Sequence, residues 1–475
     1  MEAHRDSHGA VDARAPNVAA DPGERVNTAL SYQQRRERGR AARQRTPRSS
    51  HAVWKPAPDR PDPIELLQEQ ARTREPDLAP IRYARMMPSP FTFMRGSAII
   101  MAHDLGGTPH TGIQAQLCGD CHLLNFGVYA SPERTLLFDV NDFDETLPGP
   151  WEWDLKRLAT SMVVAGRDNG FSDSGCRVAA RAAATSYRQR IAEFSEMGEL
   201  ETWYSRVTAD DVFGLISDSR TRKKAKKGLT KARGRDSLQA LSRLTSVVDG
   251  RRMFADDPPF LVRVKEDEIR DQIDEILQMY RRTLQDDRLY LLDRYRFVDV
   301  ARKVVGVGSV GTRDYVVLLE GRDEEDPLIL QVKEAEPSVL EVHLPQSAYK
   351  HQGQRVVAGQ RLMQAASDIF LGWLRGPAGR EFYWRQLRDM KGSVKVERTS
   401  PDELALYAST CGWALARAHA RSGDRVQISA YLGKSERFDG AIVDFAVTYA
   451  DQIERDHAAL CAAVKSGKIV GDVGA

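Results

Sequence analysis

The sequence predicts an α+β protein of two lobes with additional helices, and three observations carry that expectation. Apolar residues recur at helical spacing over Asp173–Glu201, Asp267–Asp293 and Pro401–Lys465. Residues 298–332 run instead as β-rich stretches separated by a glycine-rich turn and an acidic turn. At 475 residues the chain exceeds one ordinary domain and suits two lobes plus an appendage.

Composition narrows the function classes. Hydrophobic residues make up 41% and charged residues 29%, which excludes collagen, coiled coil and wholesale disorder. Lys and Arg total 69 against 67 Asp and Glu, so a net charge of +2 gives neither nucleic acid nor a membrane surface a global electrostatic claim. The five cysteines are odd in number and mostly far apart, which argues against a secreted disulfide framework and fits a reducing compartment. The first ten residues are polar, and no run reaches the roughly 18 consecutive apolar residues of a membrane span. The expectation is a soluble, cytoplasmic protein with no membrane partner.

In chain order, residues 1–30 lack apolar periodicity and read as a disordered leader. Residues 31–80 read as a basic arm and a Pro-rich linker, with seven arginines and one acid, Glu37, between Arg35 and Arg48, and a short helical pattern over Ile64–Ala71. Residues 81–295 form the expected large-lobe core, 296–390 a glycine-loop β lobe, and 391–475 the helices that complete the large lobe. Within the core, Arg220–Arg235 holds nine Lys or Arg and no acid, interrupted by Gly228 and Gly234, and reads as a mobile surface loop. For both basic clusters a solvated or self-paired face outweighs a nucleic-acid contact, and the second has no interleaved aromatic for stacking.

Two segments carry chemistry. Gln116–Asp144 reads QLCGDCHLLNFGVYASPERTLLFDVNDFD, two strand-like runs joined by a polar turn and preceded by Gly-Asp-x-His-x-x-Asn. A folded hairpin brings Asp120, Asn125 and Asp142 towards one pocket, and three such oxygens suit Mg²⁺. Taken singly, Asp120 and Asn125 are turn formers, and Asn141–Glu145 could cap the following helix. Cys118 and Cys121 form a C-x-x-C, but no second Cys or His pair stands at zinc-ligand spacing and a thioredoxin-type context is missing.

The second segment, Lys303–Lys333, contains Gly306-x-Gly308-x-x-Gly311. A dinucleotide fingerprint must open a helix, whereas this one runs into the strand Tyr315–Leu319, so the hairpin use is expected. Glycines there let backbone amides approach phosphate oxygens, and Lys333 on the next strand places an ammonium against them. The bland reading is a glycine-rich hairpin with a surface lysine. For an acidic partner of Lys333 the choice falls on Glu341, with Glu334 and Glu336 also near in sequence.

The first segment resembles the catalytic loop and metal-binding strand of the protein-kinase-like superfamily, particularly the aminoglycoside phosphotransferase and choline kinase branch, with Cys118 in place of the loop's first His. The resemblance implies that Asp120 is the catalytic base and His122 a loop buttress or phosphate contact, and that Asn125 and Asp142 hold Mg²⁺. It also makes Gly306, Gly308, Gly311, Lys333 and Glu341 the ATP-binding set and Asp154 a structural residue. Phe382–Arg388 looks like the strand leading to a nucleotide-binding hinge, and Leu404–His419 like the helix that ordinarily precedes the catalytic loop. Because Asp120 lies far earlier in the chain, the implied fold is a circularly permuted, two-lobe kinase-like one.

Over residues 35–465 the chain resembles an uncharacterised bacterial family, domain of unknown function 2252, in the stretches Arg40–Ala52, Ile81–Gly96, Gly119–Glu145, Trp153–Arg157, Lys333–Ala335, Gly359–Arg361, Arg385–Lys391 and Ala416–Asp424. That family implies no substrate. The expected function is therefore an ATP- and Mg²⁺-dependent phosphotransferase acting on a small-molecule hydroxyl. Adenylyl transfer on the same scaffold, or a nucleotide-binding pseudoenzyme or interaction protein, are the alternatives. Arg82, Arg85 and Arg95 suggest an anionic group on the acceptor.

Overall fold

A computed structural model describes residues 30–234, 237–248, 250–264, 266–387 and 390–472. The expected leader lies outside these residues, except Leu30. The architecture is α+β. Among the described residues no helix is long and apolar enough to cross a membrane.

The helical part is organised around a buried bundle. The helices Glu152–Asp168, Asp173–Glu196, Pro401–Ser422 and Arg437–Lys465 pack on one another, and their facing residues are small: Ala179, Ala180, Ala183 and Ala184 oppose Ala408, Gly412 and Ala414. A Cβ on Gly412 would sit 2.3 Å from the carbonyl oxygen of Ala183, so the close approach of these two helices requires glycine. The arginine-rich stretch forms the helix Tyr32–Arg45, capped by Ser31, and lies against the helix Arg425–Leu432. There Arg48 donates to the carbonyl of Leu432 at 2.5 Å, and Arg35 stands 3.4 Å from Asp424.

Two small antiparallel pairs sit at the edge of this bundle. Strand β1 (Gln114–Leu117) pairs with β4 (Leu147–Pro150), and between them β2 (Phe126–Ala130) pairs with β3 (Leu136–Val140). After a hairpin of β5 (Thr245–Val248) and β6 (Arg251–Phe254) comes a six-stranded antiparallel sheet. Its strands are β7 (Leu261–Arg263), β8 (Arg296–Lys303), β9 (Asp314–Glu320), β10 (Pro327–Glu334), β11 (Gly372–Arg375) and β12 (Glu381–Gln386), in the order β11-β12-β10-β9-β8-β7. Alternate residues of β9 and β10 enter different cores: Val317, Leu319, Leu328 and Leu330 on one face, Val316, Leu318 and Ile329 on the other. This double burial explains why the strands read as continuous apolar runs. The helix Gln352–Met363 joins β10 to β11.

Four readings of the sequence, one of them an alternative, need correction. Arg220–Arg235 is no loop: Ser219–Arg233 is a helix, capped by the Asp218 carboxylate on the Thr221 N–H at 2.6 Å. Lys, Arg and Ala are good helix formers, and Gly228 costs only about 1 kcal/mol against them. Arg235 lies outside the described residues. The helix expected over Asp173–Glu201 stops at Glu196, because Met197 is extended, and a short helix Glu199–Tyr204 follows. The stretch Asp267–Asp293 is likewise two helices, Glu266–Arg281 and Asp286–Leu292. Finally, Asn141–Glu145 caps no helix, since β4 follows it and the next helix starts at Glu152.

Candidate functional site

The loop between β1 and β2 is held from below by the helix Glu152–Asp168. Asp154, 1% exposed, accepts the N–H groups of Cys118 at 2.8 Å and Gly119 at 3.0 Å. His419, from the helix Pro401–Ser422, stands 3.3 Å from the same carboxylate. Gly119 has φ +84, and a Cβ there would meet the Glu145 carbonyl oxygen at 2.4 Å, so the turn requires glycine. One turn along the helix from Asp154, Arg157 forms an ion pair with Asp120. Both of its contacts fall on one carboxylate oxygen, Oδ1, its Nε at 2.7 Å. The other oxygen, Oδ2, has His122 Nε2 at 3.8 Å.

His122 accepts the Leu124 N–H on Nδ1 at 3.2 Å, and burial pushes its ring down to about 4, so it is neutral at physiological pH. Asn125 donates its amide nitrogen to the Asp120 carbonyl at 2.7 Å, which leaves its oxygen for a cation. Its own carbonyl accepts the Asn141 N–H at 2.8 Å, closing the β2–β3 hairpin and carrying Asp142 to the same side.

The opposite wall comes from the sheet. Lys333, on β10 and 2% exposed, forms an ion pair with Asp144. Tyr383, its neighbour in register on β12, donates to the same carboxylate at 2.5 Å. Burial opposes the charge on Asp142, yet Lys333 and Arg385 hold its carboxyl below the usual range. The glycine segment joins β8 to β9, with Gly306 at φ +66 and Gly311 at φ +93. Its carbonyls are taken by arginines of the N-terminal segment: Arg74, in the turn after the helix Pro63–Ala71, donates to Gly308 at 2.8 Å and to Val310, and Arg85 to Gly306 at 2.7 Å. A Cβ on Gly308 would sit 2.9 Å from the Arg95 carbonyl oxygen.

Both constellations border one cavity of about 160 Å³. Asp120, His122, Asn125, Asp142, Gly306 and Gly308 all line it. Of the remaining expected residues, Gly311 closes the loop without lining the cavity, and Lys333 reaches it through Asp144. Glu341 does not join. It lies on the short 3-10 turn Val339–Val342 and accepts the Ser347 N–H at 3.3 Å. Glu334 pairs with Arg313 and Arg380 instead. The acid on Lys333 is therefore Asp144, and the helix Gln352–Met363, which packs on β11 and β12, carries no carboxylate.

Sequence reasoning also missed Arg157 and Arg74. The first had a signal, the i,i+3 spacing of Asp154 and Arg157 on one helix face; the second had none. Cys118 and Cys121 gather with Asp154, their ligand atoms within 4.8 Å. Burial pushes both thiols up, Cys121 to about 11, and the carboxylate is already committed to the loop's backbone. The trio reads as loop support.

Over residues 74–463 the chain matches the family described as "uncharacterized protein conserved in bacteria (DUF2252)", and it belongs to that family. No curated protein and no solved structure matches it.

Proposed function

We propose that the chain is an ATP- and Mg²⁺-dependent phosphotransferase with a circularly permuted kinase-like fold, acting on the hydroxyl of a small molecule. The observation that carries this reading is the single cavity bordered by Asp120, Asn125, Asp142 and the glycine loop, segments some two hundred residues apart in the chain. The sheet supports it too. Strands β8, β9 and β10 form a meander with the glycines in its first turn and the lysine on its third strand, and a helix then crosses to two further strands.

The permutation rests on a second contact. The end of the helix Pro401–Ser422 abuts β1: the Gln116 N–H donates to Ser422 Oγ at 3.2 Å, and a Cβ on Gly423 would lie 2.8 Å from the Gln114 carbonyl oxygen. The helix thus leads spatially into the strand before the Asp120 loop, although the chain reaches that strand some three hundred residues earlier.

The donor set suits a hard divalent cation: the free amide oxygen of Asn125 and the carboxylate of Asp142 are oxygen ligands, and no thiolate or imidazole competes among them. Asn125 and Asp142 would hold Mg²⁺, whose charge would offset that of the phosphates. Lys333 and the loop amides hold the phosphates. Arg157 fixes Asp120 by Oδ1, so Oδ2 is the oxygen presented to the acceptor hydroxyl and receives its proton. The acceptor oxygen bonds to the terminal phosphorus as the bond to the ADP leaving group breaks.

The test is a paired measurement of nucleotide binding by calorimetry and of ATP turnover, including basal hydrolysis. Asp142→Asn is expected to weaken Mg²⁺-dependent ATP binding, because an amide brings no negative charge to the cation. Asp120→Asn is expected to keep the affinity and to lose about 10²–10⁴-fold in turnover. Wild-type behaviour in both variants would reduce these residues to turn formers.

A further inference from the structure

Part of the cavity lining is built by arginines that form no ion pair among the described residues. These are Arg74, Arg82 and Arg95. Arg82 is 1% exposed and Arg74 6%. Each of these two is anchored at one end only. Arg82 spends Nη2 on Gln70 and on the Gly96 carbonyl, and Arg74 spends Nη1 on the glycine-loop carbonyls. The remaining buried donors, Arg82 Nε and Nη1, Arg74 Nε and Arg95 Nε, have no hydrogen-bond partner.

A buried guanidinium without a counter-ion is costly, and removing it from water is offset only by close, paired acceptors. Acids stand in the same cavity, and Glu336 and Glu145 attract Arg74 and Arg82 through space as Asp120 attracts Arg95, but none of them accepts a hydrogen bond from these guanidinium groups, and most are engaged elsewhere. Asp120 is taken by Arg157, Asp144 by Lys333, Glu334 by Arg313 and Arg380, and Glu145 by the Val339 N–H at 2.8 Å. Within the cavity lining the unanswered guanidinium donors thus belong to Arg74, Arg82 and Arg95.

We infer that Arg74, Arg82 and Arg95 form a subsite for an oxyanion, a phosphate or carboxylate group carried by the acceptor, so that the substrate is an anionic alcohol. The assignment of that anion to the acceptor rests on the proposed phosphotransferase reading; the anion site itself does not. Guanidinium forks match the planar or tetrahedral oxygens of such a group bidentately, and the anchoring of Arg74 and Arg82 means little side-chain freedom remains to be lost on binding. A terminal phosphate of the nucleotide has the same chemistry, and the two sources are separated by preloading the nucleotide site.

The experiment is calorimetric titration of inorganic phosphate, and separately of malonate, into the full chain at low salt. At least one is expected to bind at a single saturable site, and Arg95→Gln and Arg82→Lys are expected to weaken it by about tenfold or more. Asp142→Asn should not weaken it, since that change only removes a nearby negative charge. Arg82 is fully enclosed, so if its variant does not fold, the half-buried Arg95 carries the test. Binding of neither probe by the wild-type protein, or unchanged binding by Arg95→Gln, overturns the site. Persistence of the probe's binding after saturation with Mg²⁺ and a non-hydrolysable ATP analogue supports the acceptor assignment. Its loss with the analogue but not with ADP overturns that assignment and gives the arginines to the terminal phosphate. Arginine-dependent probe binding by a protein that takes no nucleotide would sink the phosphotransferase reading, and with it the acceptor assignment, while leaving the anion site standing.

Discussion

The two sides of the cavity are built on opposite principles. On the side of the Asp120 loop, buried charges answer one another: Arg417 pairs with Asp139 at 2.8 Å, His419 with Asp154, and Arg157 with Asp120. On the side of the glycine loop, arginines spend part of their donors on backbone carbonyls and keep the rest unanswered. Donors go unanswered on both sides, Arg417 Nε and Nη1 among them, but of these arginines only those on the glycine-loop side lack a paired carboxylate. The difference teaches that stability and ligand affinity are supplied by different walls of the same site, and it can be tested as such.

The largest effect is expected from breaking the answered side. Arg417 is 0% exposed and Asp139 1%. Arg417→Ala leaves the Asp139 carboxylate buried and unpaired, and urea unfolding should report a loss of about 3–5 kcal/mol. A loss near zero would mean that the network is not tight.

An intermediate effect comes from Asp314, beside Lys333 at the junction of the two walls. Burial pushes its carboxyl up to about 8 from the ordinary 3.8, against the pull of Lys333. The folded state therefore binds this proton more tightly than the unfolded one. The stability it contributes is complete below the ordinary value and is lost as pH rises through about 8. Asp314→Asn should remove that loss, so the variant gains on the wild type steadily between those limits in unfolding experiments. A parallel pH profile would contradict the upward push of burial on that carboxyl.

How much of this was legible in the sequence divides along the same line. Asp120, Asn125, Asp142 and the glycines could be read because short motifs place their chemistry within a loop and a hairpin. The partner of Lys333 could not, because Asp144 lies 189 positions away and only the packing of the sheet on the Asp142 loop brings it in. Likewise Arg82 and Arg95 stood out as charges near an apolar segment, but Arg85 stood out equally and faces the Gly306 carbonyl at an exposed position. Nothing local distinguishes an arginine that caps a loop from one that lines a cavity. The helix Ser219–Arg233 carries a local signal of its own, helix-forming Lys, Arg and Ala behind an Asp218 cap, beneath a density of charge that equally suits a solvated loop.

The smallest effect is the sharpest contrast with Arg417. Arg95 makes no ion pair or hydrogen bond among the described residues, so Arg95→Gln should leave unfolding free energy within about 0.5 kcal/mol of wild type. A loss comparable to that of Arg417→Ala would show that the unanswered wall also holds the fold together.

The central claim is that the Asp120 loop and the glycine loop serve one nucleotide. A crystal structure of the full chain with Mg²⁺ and a non-hydrolysable ATP analogue tests it most directly. The account predicts phosphates lying under Gly306–Gly311 and against Lys333, with the cation on Asn125 and Asp142. A nucleotide bound elsewhere, or a cation that ignores both residues, would contradict it.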